Sequence, residues 1–332
     1  MGRAMYTVRR LLQAIPVLVG VATITFLLIE AMPGDPVSIM LGPSPSQQQA
    51  AAIRAKYGLD KPLWLRYVNY LWDAARLQLG QSFYYGVPVS QKIAERLPVT
   101  LLLLLTSLGF ALTTAIPLGI LSAKRRNQPA DHVSRVVALL GVSTPSFWIG
   151  LVLIIVFSYR LGWFPSTNLI MPWAAPAAVE GANSQAEVVF LAAKHLVLPT
   201  ISLGTLQMAA FTRIERSSML EVLNEEYVKL ARAYGVSEQT IVRKHAFRNA
   251  QLPLITIVGL QLTSALGGAV LTETVFSIAG MGRLIITAIN NQDIMLVMGT
   301  TLVFGLVFVV GVILTDLSYA YIDPRVSYDE AE

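Results

Sequence analysis

The sequence predicts an all-α integral membrane protein with about six transmembrane helices. Of its 332 residues, 54% are hydrophobic and only 14% are charged, whereas soluble domains carry about 25% charged residues. Six stretches contain no Asp, Glu, Lys or Arg, and each approaches the roughly 20 apolar residues that a helix needs to cross a bilayer. These stretches are 11–29, 97–123, 136–159, 195–212, 249–272 and 294–315.

The positions of the basic residues predict which segments face the cytoplasm. Arginines occupy 9–10 before the first stretch, a Lys-Arg-Arg run occupies 124–126 between the second and third, and seven Lys or Arg lie within 213–248. Lys and Arg concentrate in cytoplasmic loops, so we expect these segments and both termini to be inside. The first stretch lacks a small-residue cleavage site at its end, and we interpret it as a retained span rather than a signal peptide.

The charge-free stretches divide the chain into segments with different expected locations. The segments are a cytoplasmic N-terminus at 1–10, a first transmembrane helix at 11–32, an external helical segment at 33–96, a core of five transmembrane helices at 97–320 that includes a cytoplasmic region at 213–250, and a cytoplasmic tail at 321–332. The segment 33–96 is too polar to enter the bilayer as a span. Within it we expect one helix from Ser46 to Gly58 and another opened by Pro62. A self-packed lid is favoured there over a specific binding surface.

Several kinds of chemistry find no support in the sequence. No cysteine is present, and no Gly-Lys pair occurs, so a P-loop that could hold ATP is absent. His132, His195 and His245 are far apart and lack metal-ligand companions, which favours structural roles over a metal site. We therefore expect a non-catalytic chain without a cofactor or metal of its own. The excess of basic residues is explained by topology and not by nucleic-acid binding.

A few polar residues within the spans are candidates for a translocation pathway or gate. Glu273 lies near the outer end of the fifth span, where a structural hydrogen bond and a position lining the external gate are equally favoured. Pro145 is expected to kink the third span. Ser143 and Thr144 precede it, so they either bond carbonyls freed by the proline or line a pathway. Gln261 is the further candidate, in the middle of the fifth span.

The region between the fourth and fifth spans, 213–250, is the most informative part of the chain. Glu225 and Glu226 favour a helix start, Gly235 is expected to end that helix, and Ser237 is expected to cap a second one. The less polar face of the second helix consists of Ile241, Val242 and His245. Acidic and basic residues are mixed along this helix-turn-helix, which favours docking into a protein groove over binding to an anionic lipid surface.

Two runs in this region resemble the EAA loop of ABC importer permeases. They are YVKLARAYG at 227–235 and RNAQLP at 248–253. The residues that match the family pattern outright are Ala231, Gly235, Leu252 and Pro253, whereas Lys229 and Leu230 replace its first two positions. This departure is similar to the form used by the dipeptide, oligopeptide and nickel branch, and the chain is most like a dipeptide permease subunit of the B type.

Other runs support the same branch across most of the chain. They are PGDP at 33–36, RSSM at 216–219, LTETVFS at 271–277 with GMGR at 280–283, and DPR at 323–325. The resemblance implies a type I ABC importer permease fold and a place in the cytoplasmic (inner) membrane of a bacterium or archaeon. It also implies membrane lipid around the spans and four protein partners, which are a homologous second permease, two ATP-binding cassette subunits that bind ATP and Mg, and an external substrate-binding protein.

In this reading the chain imports di- or oligopeptides, forms half of the pathway and couples to the ATPase subunits. The residues that the resemblance assigns to coupling are Tyr227, Leu230, Ala231, Arg232, Ala233, Gly235, Val236, Arg243 and His245. The substrate class rests on the resemblance alone. The alternative is an ion-coupled secondary transporter, which would need coupling-ion sites in the middle of the membrane, and the charge-free spans count against it.

Overall fold

The computed structural model describes residues 3–31, 37, 41 and 46–322, and within them the chain is helical without a β-strand. The helices are α1 (Arg3–Glu30), α2 (Gln47–Tyr57), α3 (Leu63–Ala75), α4 (Val89–Lys124), α5 (Pro129–Ser143), α6 (Ser146–Leu153) with a π-helical continuation (Ile154–Arg160), α7 (Gln185–Leu223), α8 (Glu226–Ala233), α9 (Glu238–Thr240) with a π-helical turn (Ile241–Ala246), α10 (Phe247–Val275), α11 (Met281–Asn290) and α12 (Ile294–Ile322). The PGDP and DPR runs at 33–36 and 323–325 lie outside the described residues.

The described helices account for the six predicted spans. Four of them, α1, α4, α7 and α12, are long and apolar enough to cross a membrane by themselves, and α5 with α6 passes the same test as a bent pair. The fifth charge-free stretch, 249–272, lies inside the 29-residue helix α10. The all-α membrane fold with about six spans is therefore confirmed.

The third predicted span is broken rather than continuous. The chain bends by 104° between α5 and α6, so the kink expected at Pro145 is sharper than a right angle. The N–H and Oγ1 of Thr144 both bond to the carbonyl oxygen of Leu140, at 3.1 and 2.7 Å. Ser202 on α7 donates to the carbonyl oxygen of Ser146 at 2.7 Å. Side-chain hydroxyls thus bond to backbone carbonyls on both sides of the break.

The chain forms two compact units, of which the larger comprises residues 99–282 together with those from 310 onward. Helix α7 is central in this unit, because α5, α6 and α10 all pack against it. An apolar layer fills the space between α4, α7 and α10 and consists of Ala111, Ala115, Met208, Phe211 and Leu254. This packing holds the cytoplasmic end of the unit, where the candidate site lies.

The smaller unit comprises residues 2–98 and 283–309. The two helices predicted between the first two spans are confirmed as α2 and α3. Ser46 and Gln49 form a capping box at the start of α2, and Gly58 ends it with a φ of 63°. Helix α3 begins directly after Pro62 and packs against α1.

Candidate functional site

Helix α8, in the region predicted to face the cytoplasm, is short and has well-defined ends. It follows Glu225 as its N-cap residue, and its C-terminal turn closes at Gly235, where φ is 77°. The Gly235 N–H bonds to the carbonyl of Arg232 at 3.0 Å, and the Val236 N–H bonds to the carbonyl of Ala231 at 3.1 Å. This pair of bonds is a Schellman motif, which requires a left-handed residue. The predicted helix start and the break at Gly235 are confirmed.

The second predicted helix is not a separate element. Helix α9 has only three residues, and it continues through the π-helical turn 241–246 into α10 without an intervening loop. Ser237 caps it as predicted, because its Oγ accepts from the Thr240 N–H at 3.4 Å. The predicted helix-turn-helix is therefore present, and its second helix is the beginning of the fifth predicted span.

A compact apolar cluster supports α8 from beneath. Its buried members are Ala123, Met219, Leu223, Val228, Ile241, Val242, Ala246 and Ala250. They come from the ends of α4 and α7, from α8, and from the start of the fifth span. Val228 is the member on α8 and is fully buried. Since closely packed side chains resist displacement, the cluster fixes α8 relative to the ends of three long helices.

Polar side chains fix α8 at its sides. The guanidinium of Arg232 donates to both carboxylate oxygens of Glu238, at 2.9 and 3.1 Å, and to the carbonyl oxygen of Leu223 at 3.3 Å. This fork lowers the pKa of Glu238 below its usual value and raises that of Arg232. Asn249 donates its amide to the Tyr227 hydroxyl at 2.8 Å. Both ends of α8 are thus tied to the beginning of the fifth span.

The outer face of α8 is apolar and exposed. Tyr227, Leu230 and Tyr234 recur at helical spacing and are 41, 57 and 81% exposed. Large apolar side chains grouped on one exposed face commonly mark a surface for another protein. Helix α8 therefore combines a rigid mount with an apolar face that is not covered by the described residues of this chain.

The nine predicted coupling residues fall into two groups by solvent exposure. The exposed ones are Tyr227, Leu230, Arg232, Ala233, Gly235 and Arg243, and the half-buried ones are Ala231, Val236 and His245. Ala231 and Val236 pack against the supporting cluster. The RNAQLP run also has a geometric role, since Asn249 bonds to α8, Ala250 is buried in the cluster, and Gln251 reaches α7.

Sequence reasoning missed a buried ionic network near this cluster. The Asp131 carboxylate accepts from Arg216 Nε and Nη2 at 2.7 and 3.0 Å, from Ser122 Oγ at 2.6 Å, and from the Asn127 N–H at 2.9 Å. Arg135 adds a contact at 3.3 Å. The network joins the ends of α4, α5 and α7. The RSSM run contained its arginine, but the acid lies 85 residues earlier in the chain.

A second buried carboxylate belongs to Glu215, the residue directly before Arg216 on α7. Glu215 is fully buried, and the Gln251 amide donates to its two oxygens at 3.0 and 2.9 Å. This contact links α7 to the start of α10. No local pattern indicates this pair, because Gln251 lies 36 residues after Glu215 in the chain.

The pathway candidates do not come together in one place. Glu273 is fully buried in the larger unit, where Thr100 Oγ1 donates to it at 2.5 Å. Gln261 is half-buried on α10, whereas Ser143 and Thr144 lie at the break between α5 and α6. Their assignment to a pathway stays a prediction. Among the described residues, no group of three or more metal-ligating side chains is present.

Comparison with protein-family models finds two matches that together span the chain. Residues 115–328 match the model described as the binding-protein-dependent transport system inner membrane component. Residues 3–104 match the model described as the N-terminal part of the membrane component of such systems.

Known proteins and one solved structure resemble the chain over most of its length. It is 40% identical to the oligopeptide transport system permease protein AppB of Bacillus subtilis, with 98% of this chain and 100% of that protein covered. It is 39% identical to the dipeptide transport system permease protein DppB of Alkalihalophilus pseudofirmus, with 97% and 99% covered. A chain of the inward-facing MetNI methionine ABC transporter superposes with a TM-score of 0.52 at 17% identity, covering 70% of this chain and 97% of that one.

Proposed function

Because the chain belongs to the family of binding-protein-dependent transport system inner membrane components, we propose that it is one permease subunit of an ATP-driven importer and that α8 couples it to an ATPase subunit. It forms half of the translocation pathway with a homologous permease. Nucleotide is bound and hydrolysed by two partner ATPase subunits, and an external binding protein delivers the substrate. The chain works in the bacterial inner membrane as a multi-pass protein.

The exposed face of α8 is the single observation that carries the coupling role. Tyr227, Leu230 and Tyr234 form an apolar surface that an ATPase groove can receive in the manner of a helix laid into a cleft. Beneath it, the supporting cluster and the Arg232–Glu238 fork prevent α8 from moving independently of the spans. Movement of the ATPase subunit is therefore passed to α7 and α10 rather than absorbed locally.

The energetic demand on this contact is modest. Moving a two-state permease from mostly inward-open to mostly outward-open requires about 5 kcal/mol of differential binding. Closure of an ATPase dimer on nucleotide can supply such a difference only if α8 stays attached to both partners throughout. The buried cluster and the polar contacts of α8 provide its attachment to the spans of this chain, and its exposed apolar face provides the attachment to the ATPase subunit.

Di- or oligopeptides are the substrate class that we propose. Relatives at 39 to 40% identity over nearly the full chain are named as dipeptide and oligopeptide transport system permeases. The solved methionine transporter supports the fold but not the substrate, because its identity to this chain is only 17%. No observation favours the ion-coupled alternative.

The test begins with the assembly that the chain forms in its own membrane. ATPase subunits should co-purify with it, and the reconstituted assembly should take up peptide from its binding protein only with ATP and in a vanadate-sensitive manner. Uptake driven by an ion gradient alone would overturn the proposal.

A pair of variants tests the role of α8 itself. Leu230→Ser should weaken ATPase binding about fivefold or more, since truncation of an apolar residue at the centre of an interface costs about 1 to 4 kcal/mol. Lys229→Ser is the matched control. Lys229 is as exposed as Leu230, but its side chain leaves the helix about 100° away from that of Leu230. Equal behaviour of the two variants in co-purification would contradict docking through the apolar face.

A further inference from the structure

Helix α3 in the smaller unit has three distinct faces. Its inner face packs on α1 through Tyr67 and Tyr70, whose rings lie 5.4 and 5.9 Å from that of Phe26. Its polar face carries Arg66, Asn69 and Asp73, which line a cleft of about 600 Å³. The third face is apolar, and it is the one for which the fold offers no cover among the described residues.

The uncovered face is a regular stripe. Trp64, Val68 and Trp72 recur every four residues and are 68, 51 and 58% exposed. At about 100° per residue, Trp64 points directly away from Asp73 in the cleft. The Arg76 guanidinium lies 4.2 Å from the ring of Trp72. Two tryptophans with a stacked cation beside them are typical of side chains at the boundary between hydrocarbon and headgroups.

The contacts with α1 place this stripe at membrane depth. The Tyr67 hydroxyl bonds to Thr23 Oγ1 at 2.6 Å, and Arg66 pairs with Glu30 at 2.8 Å. Glu30 ends the apolar span of α1, and Thr23 lies seven residues earlier, about 10 Å closer to the bilayer centre. A helix that bonds to α1 at both levels lies beside the last two turns of this span.

The surface of α1 is also apolar and exposed along this part of the helix. Ile24, Leu27 and Leu28 are exposed there, on a helix whose hydropathy and length are those of a span. The apolar face of α3 therefore adds to a surface that a bilayer already covers. A soluble partner would need to enter the membrane to reach Val68.

We infer that α3 is an interfacial helix, with its Trp64, Val68 and Trp72 face inserted into the outer leaflet and its Arg66, Asn69 and Asp73 face turned to water. The partner of this surface is the boundary between phospholipid headgroups and acyl chains. Amphipathic helices of this kind bury their apolar face about 5 to 10 Å into that boundary, which matches the position of the Tyr67–Thr23 bond. This revises the expectation that all of segment 33–96 lies outside the bilayer.

The absence of cysteine from the chain makes a direct test possible. Val68→Cys and Asn69→Cys are spin-labelled separately in the complete transporter, assembled with cysteine-free partner subunits in phospholipid nanodiscs. Collision rates with oxygen and with a water-soluble nickel chelate are then measured. We expect the label at 68 to favour oxygen over the nickel chelate several-fold relative to the label at 69, with a depth in the outer leaflet.

Two other results would overturn the inference. Equal access of nickel chelate to both labels would place α3 in water. Protection of the label at 68 from both reagents would mean that another protein chain covers the stripe. A label-free measurement guards against local disturbance: brominated phospholipids should quench a fraction of the tryptophan fluorescence that is lost in Trp64→Phe/Trp72→Phe, and unchanged quenching in that variant would equally overturn it.

Discussion

Gly235 is the residue on which the shape of the α8 turn depends. Its φ of 77° lies in the left-handed region, and both Schellman bonds pass through this turn. No atom outside its immediate neighbours lies within 4 Å of a Cβ placed there. The requirement for glycine is therefore conformational and not steric.

This distinction gives a prediction for two substitutions. Gly235→Val should disrupt the turn and reduce coupled transport, because a β-branched residue in the left-handed region costs at least about 1 kcal/mol. Gly235→Asn should retain most transport, since Asn tolerates that conformation. The measurement is peptide uptake per ATP hydrolysed in proteoliposomes. If Asn proved as damaging as Val, the side chain itself, and not the backbone angle, would be at fault.

The Arg232–Glu238 pair should make the mount of α8 sensitive to acid. The pKa of Glu238 is lowered by the fork from Arg232, so the pair contributes its full stability above the ordinary pKa of glutamate. That contribution is lost as the pH falls through the lowered pKa. The pair is largely exposed, and such pairs contribute about 0.2 to 1 kcal/mol. The hydrogen-exchange protection factors of the α8 amides should fall slightly when the pH is lowered from 7 to below the pKa of Glu238. Glu238→Gln should remove this pH dependence of the protection factors.

At the scale of elements, the Asp131 network joins three helices. Asp131→Ala should destabilise the larger unit by about 1 to 3 kcal/mol, because it removes the buried carboxylate that accepts from Ser122, Asn127 and the half-buried Arg216 guanidinium. Thermal unfolding of the purified assembly measures this. Asp60→Asn, at an exposed acid, is the control and should be neutral. A double variant with Arg216→Met should recover part of the loss, and a purely additive double variant would argue against a direct pair.

The outer turn after α10 gives a second prediction at this scale. A Cβ at Gly280 would overlap the carboxylate of Glu273, whose oxygen is already held by Thr100. Gly280→Ala should destabilise the unit by about 1 to 3 kcal/mol, as overpacking usually does. Gly109→Ala on α4 meets open space and should be neutral or slightly stabilising. Similar melting temperatures for both variants would show that Glu273 moves aside freely.

The elements also show what the sequence could and could not predict. Caps at Ser46, Gly58 and Gly235 depend on local chemistry, and all three were predicted correctly. The break at Pro145 was underestimated because a proline predicts a kink but not its angle, and the contact that Ser202 of α7 makes with the Ser146 carbonyl joins residues 56 positions apart. The Asp131–Arg216 pair joins residues 85 positions apart, a separation that no periodicity reveals. At the candidate site, the exposed face of α8 was predictable from helical spacing, whereas its buried supports were not.

At the scale of the whole molecule, the predicted topology can be tested with the cysteine-free chain. Gln48→Cys on α2 should react with a membrane-impermeant maleimide in intact cells, because the segment after the first span is expected to be external. Lys229→Cys on α8 should react only after permeabilisation. Labelling of both positions from the same side would contradict the proposed arrangement, and the parent chain provides an unreactive control.

The continuity of the helix that follows α8 has a mechanical consequence for the complete transporter. From Glu238 to Val275 the backbone is helical throughout, a rod of roughly 55 Å. No loop interrupts this helix, so a rotation of one end is not taken up by a flexible connection. A twist applied near Glu238 is therefore carried along the helix toward Val275. Two places interrupt its regular α-helical hydrogen bonding: the wider π-helical turn at 241–246, and Pro253, which has no backbone N–H to donate.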